Sequence, residues 1–188
     1  MTPPPITFPW PTTLTTARLV LRPIEPEDVP AMTRLWTDPE VRRHLGGPVD
    51  EETLRLREQH CVGARGAFSV TLRTDGPVVG GVQLEPDPRR AGRAEVSYQL
   101  LPEHWGSGYG REAVAAVVGW AREATAPEGS RVVAVTQEAN GRSRRLLESI
   151  GMERAETFVE WGATQVLRRR SAAAGPPLTR AALPIPYY

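Results

Sequence analysis

The sequence predicts a mixed α/β fold, an α+β mixed sheet rather than a purely parallel one, and three observations carry that expectation. Strand-like and helix-like segments alternate through the middle of the chain. Hairpin signals stand on either side of that middle, which favours antiparallel pairing there. With 188 residues at 40% apolar content, the chain suffices for one domain with its own core.

Residues 1–14 read as an extended Pro- and Thr-rich segment, 15–170 as the domain and 171–188 as a Pro/Ala-rich C-terminal tail. "RLVLRPI" (18–24) is a strand ended by Pro23 and Pro26. "EPEDVPAMTRLWTD" opens a helix, with Pro26 and acidic residues in the favoured early positions. "DEETLRLREQHCVGA" (50–64) is a second helix with Asp50 as its N-cap. "AFSVTLR" and "VVGGVQL" flank "TDGP", a hairpin signal. "RAEVSYQLL" (93–101) alternates: Ala94, Val96, Tyr98 and Leu100 share one face, Glu95, Ser97 and Gln99 the other, so a carboxylate stands in mid-strand. A helix from about 110 to 124 repeats Ala113, Val117, Trp120 and Ala121 on one face. "RVVAVTQ" (131–137) is a further strand, and "GRSRRLLESIG" a short helix closed by Gly151. On it, Ser143, Leu146, Leu147 and Ile150 share the inward stripe, so a hydroxyl lies among core residues and needs a partner. "RAETFVE" and "TQVLRRR" around "WGA" form a closing hairpin.

Composition excludes several chemistries. A net charge of +1, from 23 basic and 22 acidic residues, gives no field to attract nucleic acid or a membrane surface. Every basic residue is Arg, so no Lys is available for a Schiff base or a Walker-type phosphate loop. Cys61 is alone, so no internal disulfide forms, and its expected role is packing. The N-terminus has neither a basic start nor an apolar h-region, and no apolar run approaches the roughly 20 residues of a membrane span. A cytoplasmic location is expected. His44, His60 and His104 show no ligand spacing with one another or with Cys61, so no metal is expected.

The stretch "LPEHWGSGYGREAVAAVVGWA" (101–121) places glycines at 106, 108 and 110 between a strand and an apolar helix. Glycines let backbone N–H groups converge, and a helix N-terminus adds partial positive charge, so the segment reads as an anion site. A dinucleotide fingerprint needs G-x-G-x-x-G after an early strand, which the spacing here does not supply. The alternative is a loop that merely turns a corner.

Four segments occur in order: "TTARLVLRPIEPEDVPAM", "DPEVRRHLGG", "RAEVSYQLLPEHWGSGYGREAV" and "EANGRSRRLLESIGM". Together they resemble the GNAT superfamily of acyl-CoA-dependent N-acetyltransferases, in the branch of the ribosomal-protein N-terminal (alanine/serine) acetyltransferases. The resemblance runs from about Thr15 to Arg170. It implies a GNAT-like fold of about seven strands, mostly antiparallel with a central splayed parallel pair, flanked by about four helices. Acetyl-CoA would lie in the splay as co-substrate, its pyrophosphate on the N–H groups of Gly106, Ser107, Gly108, Tyr109 and Gly110. Trp105 stands where the wider superfamily has Gln or Arg, as is common in this branch. The edge of Leu100 and Leu101 would take the pantetheine amides, and Asn140 matches the family asparagine that bonds the pantetheine arm. The usual general-acid Tyr is replaced by Leu147, which makes Ser143 the substitute acid. Glu95 is the expected base, acting directly or through water; the alternative is a carboxylate paired with an Arg on the sheet surface. In the family the acceptor cleft is built from the first two helices and the last hairpin. Here that implies Trp36, His44, Phe158 and Trp161 as an aromatic rim, with Glu160 attracting the amine.

The implied function is acetyl transfer from acetyl-CoA to a primary amine, a protein N-terminus or a small molecule. The partners are acetyl-CoA, the amine acceptor and a second copy in a homodimer, with neither nucleic acid nor membrane. A non-catalytic acyl-CoA-binding module on the same fold is the alternative, and an interaction protein acting through residues 172–188 is a third reading.

Overall fold

The computed structural model describes residues 8–73, 76–124 and 132–170. In chain order the strands are β1 (Leu14–Thr15), β2 (Leu19–Pro23), β3 (Ala67–Leu72), β4 (Val78–Pro86), β5 (Ala94–Leu100), β6 (Val132–Gln137), β7 (Met152–Glu160) and β8 (Ala163–Arg170). The helices are α1 (Val29–Thr37), α2 (Pro39–Arg42), α3 (Glu51–His60), α4 (Tyr109–Ala124) and α5 (Gly141–Ser149). The eight strands form a single sheet in the order β1-β2-β3-β4-β5-β6-β8-β7. All neighbours pair antiparallel except β5 and β6, which run parallel.

That parallel pair is short. Ala94 matches Val132 and Glu95 matches Val133, and no further pair follows. Meanwhile β5 stays bonded to β4 as far as Leu100 opposite Gly80, and β6 stays bonded to β8 as far as Gln137 opposite Gln165. Each strand is therefore held on its outer side while the inner edges part.

Local chemistry explains the helix boundaries. Asp38 accepts from the N–H groups of Glu40 and Val41 at the start of α2, and Asp50 accepts from Thr53 at the start of α3. The α5 helix stops at Gly151, whose φ of +79° suits glycine and whose N–H reaches the Glu148 carbonyl at 2.9 Å. Along α4, Ala113, Val114, Val117, Val118 and Ala121 are buried and pack with Leu19, Phe68, Val82, Val96 and Leu147 in the main core. Each Val so buried contributes about 1.5–3 kcal/mol. A second cluster gathers Ile24, Met32, Leu35, Cys61, Ala67 and Leu101. Ala67 and Phe68 are consecutive in β3, so the two clusters occupy opposite faces of the sheet.

The mixed sheet, its one parallel pair and the flanking helices match the expected fold. The counts differ from about seven strands and four helices because β1 has two residues and α2 four, too short to show any period. The β3–β4 and β7–β8 hairpins form as expected, although Thr74 and Asp75 of the first turn lie outside the described residues. So do Arg131, residues 1–7 and the tail 171–188, and the expectations made for them. Among the described residues no helix is long and apolar enough to cross a membrane.

Candidate active site

Where β5 and β6 part, a cleft of about 1220 Å³ opens, lined by Val96 to Leu100 on one side and Val135 to Gln137 on the other. Small-ligand pockets typically measure about 300–1,000 Å³, so this cleft has room for two reactants. Its far walls come from the head of α4, the start of α5, the turn after α2 and the β7–β8 hairpin.

The glycine loop forms one wall. Gly106 and Gly108 both have φ of +81°, a conformation that side chains with a Cβ rarely adopt. A Cβ on Gly110 would sit 3.0 Å from Leu146 Cδ1 and 3.1 Å from Leu100 Cδ1, so its absence lets α4 close onto the strand edge. The first intrachain bond at this helix mouth runs from Glu112 N–H to the Gly108 carbonyl. Among the described residues no protein acceptor takes the N–H groups of Gly106 through Arg111. The loop is braced from behind: Arg18 donates to the Ser107 carbonyl at 2.8 Å and pairs with Glu112 at 2.7 Å. Ser107 faces that brace and does not line the cleft, whereas Gly106, Gly108, Tyr109 and Gly110 do.

Three arginines around this mouth were not anticipated: Arg111, Arg142 and Arg145. They occupy positions that no motif specifies. The Arg142 guanidinium stacks 4.0 Å above the Trp105 ring, and the Trp105 indole N–H donates to the Leu100 carbonyl at 2.8 Å. Trp105 therefore ties the loop to the end of β5.

The strand edge corrects one expected residue. Leu101 donates its N–H to the Val79 carbonyl, so odd-numbered residues of β5 direct their backbone groups to β4. The even-numbered ones turn theirs toward the gap, which leaves Tyr98 and Leu100 as the open edge. Leu101, 2% exposed, belongs to the second core cluster and is off the cleft. Asn140 lines the cleft, but its side-chain oxygen caps α5 by accepting from Ser143 N–H at 3.1 Å. Only its Nδ2 group remains to meet a ligand.

Glu95 and Ser143 both reach the cleft. Glu95 Oε2 accepts from Arg89 Nη1 at 2.6 Å, so the paired-carboxylate alternative describes its surroundings, while among the described residues nothing bonds Oε1. Arg89 also holds Asp87 and Glu160 and lies over the Phe158 ring. Burial pushes the Glu95 carboxyl above the usual carboxylate range, against the opposing pull of Arg89. The Ser143 hydroxyl lies 2.7 Å from the Tyr98 phenol oxygen. Burial raises that phenol to about 12. Sequence pattern assigned Tyr98 to an apolar face; its partner sits 45 positions away on another element, and nothing local signals it.

The acceptor side is partly as expected. His44 lines the cleft and meets Gln137 at 3.3 Å, bridging the turn after α2 to the end of β6. Trp161 lines it too, 82% exposed at the hairpin tip. Its φ of +49°, followed by Gly162 at +70°, makes a tight turn that costs a residue with a Cβ about 1–2 kcal/mol. Trp36 and Phe158 do not line the cleft. Trp36 packs against the second core cluster beneath Arg57, and Phe158 lies beneath Arg89, so each carries a guanidinium that does reach it. Glu160 is occupied by Arg89. Among the described residues no three His, Cys, Asp or Glu side chains gather as a metal group.

With this geometry in hand, comparison with known proteins is informative. The sequence profile of the acetyltransferase (GNAT) domain matches residues 18–153. The uncharacterized N-acetyltransferase p20 of Bacillus licheniformis is 28% identical over 149 residues, covering 76% of this chain and 83% of that protein. The FsC-acetyl coenzyme A-N(2)-transacetylase of Aspergillus fumigatus is 29% identical, covering 78% and 67%. The crystal structure of an acetyltransferase from Agrobacterium tumefaciens superimposes with a TM-score of 0.72 at 25% identity, covering 90% of this chain and 99% of that one.

Proposed function

The chain belongs to the acetyltransferase (GNAT) domain family, and on that premise we propose that it passes an acetyl group from acetyl-CoA to a primary amine by direct attack in a ternary complex. One observation carries this reading. Gly106, Gly108, Tyr109, Gly110 and Arg111, whose N–H groups no described acceptor takes, line the cleft where the parallel strands part. The donor set suits a diphosphate: backbone N–H groups at a helix head, with Arg111, Arg142 and Arg145 beside them. The carboxylates lining the cleft, Glu40, Glu85 and Glu95, belong to other elements. The open edge groups of Tyr98, the Leu100 N–H and the Asn140 Nδ2 are then the partners for pantetheine amides.

The thioester supplies an activated carbonyl. An alkylamine arrives mostly protonated, since it titrates near 10. Glu95 Oε1 removes that proton, directly or through one water, while Arg89 fixes the other carboxylate oxygen. As the C–N bond forms and the C–S bond breaks, the Ser143 hydroxyl gives the departing thiolate a proton, and the second proton shed by the nitrogen returns through water to the Ser143–Tyr98 pair. The Tyr98 phenol, raised by burial to about 12, stays protonated at neutral pH and holds the Ser143 oxygen in place. His44 and Trp161 border the acceptor.

Acceptors of two kinds remain in this reading. The motif resemblance to the ribosomal-protein branch supports a protein N-terminus; a small-molecule amine is the other acceptor, and the Aspergillus relative is named for N(2)-transacetylation. Thiol release from acetyl-CoA, measured across small amines and peptides, tests the proposal. The alternative, a non-catalytic acyl-CoA-binding module, draws on Leu147, fully buried where a proton donor is usual, and on the hold of Arg89 over Glu95. Tight acetyl-CoA binding with no amine turned over would install that alternative.

A further inference from the structure

Charge on the acceptor wall is unevenly matched. Arg42, from α2, and Arg57, from α3, both line the cleft. Arg42 donates through Nε to the Gly47 carbonyl at 2.8 Å and through Nη2 to the Leu45 carbonyl at 2.7 Å, so neutral acceptors hold it. Arg57 lies over the Trp36 ring at 5.7 Å. Among the described residues neither forms a salt bridge, in contrast to Arg18, Arg22, Arg34, Arg89, Arg93, Arg154 and Arg168. Glu40 lines the same stretch and pairs with neither. The two guanidinium groups also feel one another: burial, and then the charge of Arg57, pulls Arg42 below its ordinary value. Two partly buried, uncompensated cations on a cleft wall form a seat for an anion. The opposite, sheet side carries Glu85 and Glu95.

We propose that Arg57, with Arg42 beside it, is an anion subsite of the acceptor cleft, and that the acceptor is a primary amine that also carries a carboxylate. This rests on the acetyltransferase reading above. The amine goes toward Glu95 on the sheet and the carboxylate toward the arginines on the helices. Arg42 is fixed by its carbonyls, so Arg57, whose guanidinium lies over Trp36 and has no bonded acceptor among the described residues, is the group that meets the carboxylate. An amino acid and a peptide with an acidic second residue share this chemistry.

The test uses the full chain with matched acceptor pairs. Free α- and ω-amino acids are compared with their amides, and short peptides carrying Asp at the second position with the same peptides carrying Asn. Thiol release gives kcat/KM for each. The expected result is a preference of about tenfold or more for the acid within at least one kind of pair, the size of a charge-assisted hydrogen bond. Arg57→Gln is expected to erase that preference through KM, and Arg57→Lys to retain part of it; thermal unfolding verifies that both variants fold. Acid-to-amide ratios near one throughout, or a preference that survives Arg57→Gln, overturn the proposal. If no pair is acetylated, the same compounds are titrated by calorimetry onto CoA-saturated protein, and lack of an Arg57-dependent preference for the acid overturns it equally. The two readings fail separately. Turnover with flat ratios sinks the subsite alone, while Arg57-dependent binding of the acids without any turnover sinks the acetyltransferase reading alone.

Discussion

The Tyr98 phenol and the Ser143 hydroxyl stand 2.7 Å apart, one on β5 and the other on the first turn of α5, and so join one strand of the gap to the helix that follows the other. Two hydroxyls in contact act as a unit. Ser143→Ala and Tyr98→Phe are each expected to lower kcat by about 10²-fold, at the low end for a general acid, with little change in KM for acetyl-CoA. The double variant is expected to lose scarcely more than either single one. Additive losses in steady-state kinetics would separate the two groups.

Glu95→Gln is expected to cut turnover by about 10²–10⁴-fold while acetyl-CoA affinity, read by calorimetry, stays within a few-fold. Wild-type turnover in this variant would clear Glu95 of the base role.

The pH profile carries a sign. A base must be ionised, and burial holds the Glu95 carboxyl above the usual carboxylate range despite Arg89. The acid limb of kcat is therefore expected above the roughly 4.3 of a free glutamate. Arg89→Gln removes the influence that lowers the pKa, so the limb should move to still higher pH. A shift downward would contradict the assignment. The same variant leaves Glu95 and Glu160 without their cation and is expected to cost about 1–3 kcal/mol by chemical denaturation.

Gly108→Glu tests the helix mouth. The residue has φ of +81°, and a Cβ there would lie 3.3 Å from Arg18 Nη2. A carboxylate at this position also competes for the N–H groups expected to hold phosphate. CoA affinity should fall at least about tenfold, the worth of one lost charge-assisted contact. Unchanged affinity would remove the loop from the binding site.

Much of this was legible from residues alone, wherever a period or a backbone requirement is local. The alternation in 93–101 located β5 and put Glu95 on its polar face, Asp50 marked the start of α3, and Gly151 marked the end of α5. What escaped depends on partners distant in sequence. Nothing near Glu95 announces that Arg89, in the loop before its own strand, turns back to grip it and Glu160 together. Trp36 looks like a rim aromatic because the resemblance builds the acceptor cleft from the first two helices, yet its ring packs against the second core cluster. Leu101 was misassigned for a different reason: strand alternation is evident in side chains, whereas the direction of the backbone N–H follows from which neighbour the strand pairs with. Asn140 was read for its ligand role, and its capping of α5 shows only when the helix start is placed.

Among the described residues the seam between β5 and β6 consists of two residue pairs, and on either side of it the sheet is continuous. The sheet is thus two leaves, one of five strands and one of three, joined by that seam and by the core they share beneath α4. An amide-bearing chain laid along Tyr98 and Leu100 would act as a surrogate strand and complete the ladder between the leaves. Slowed hydrogen exchange at those amides on adding CoA, together with a rise in melting temperature, would register that splint.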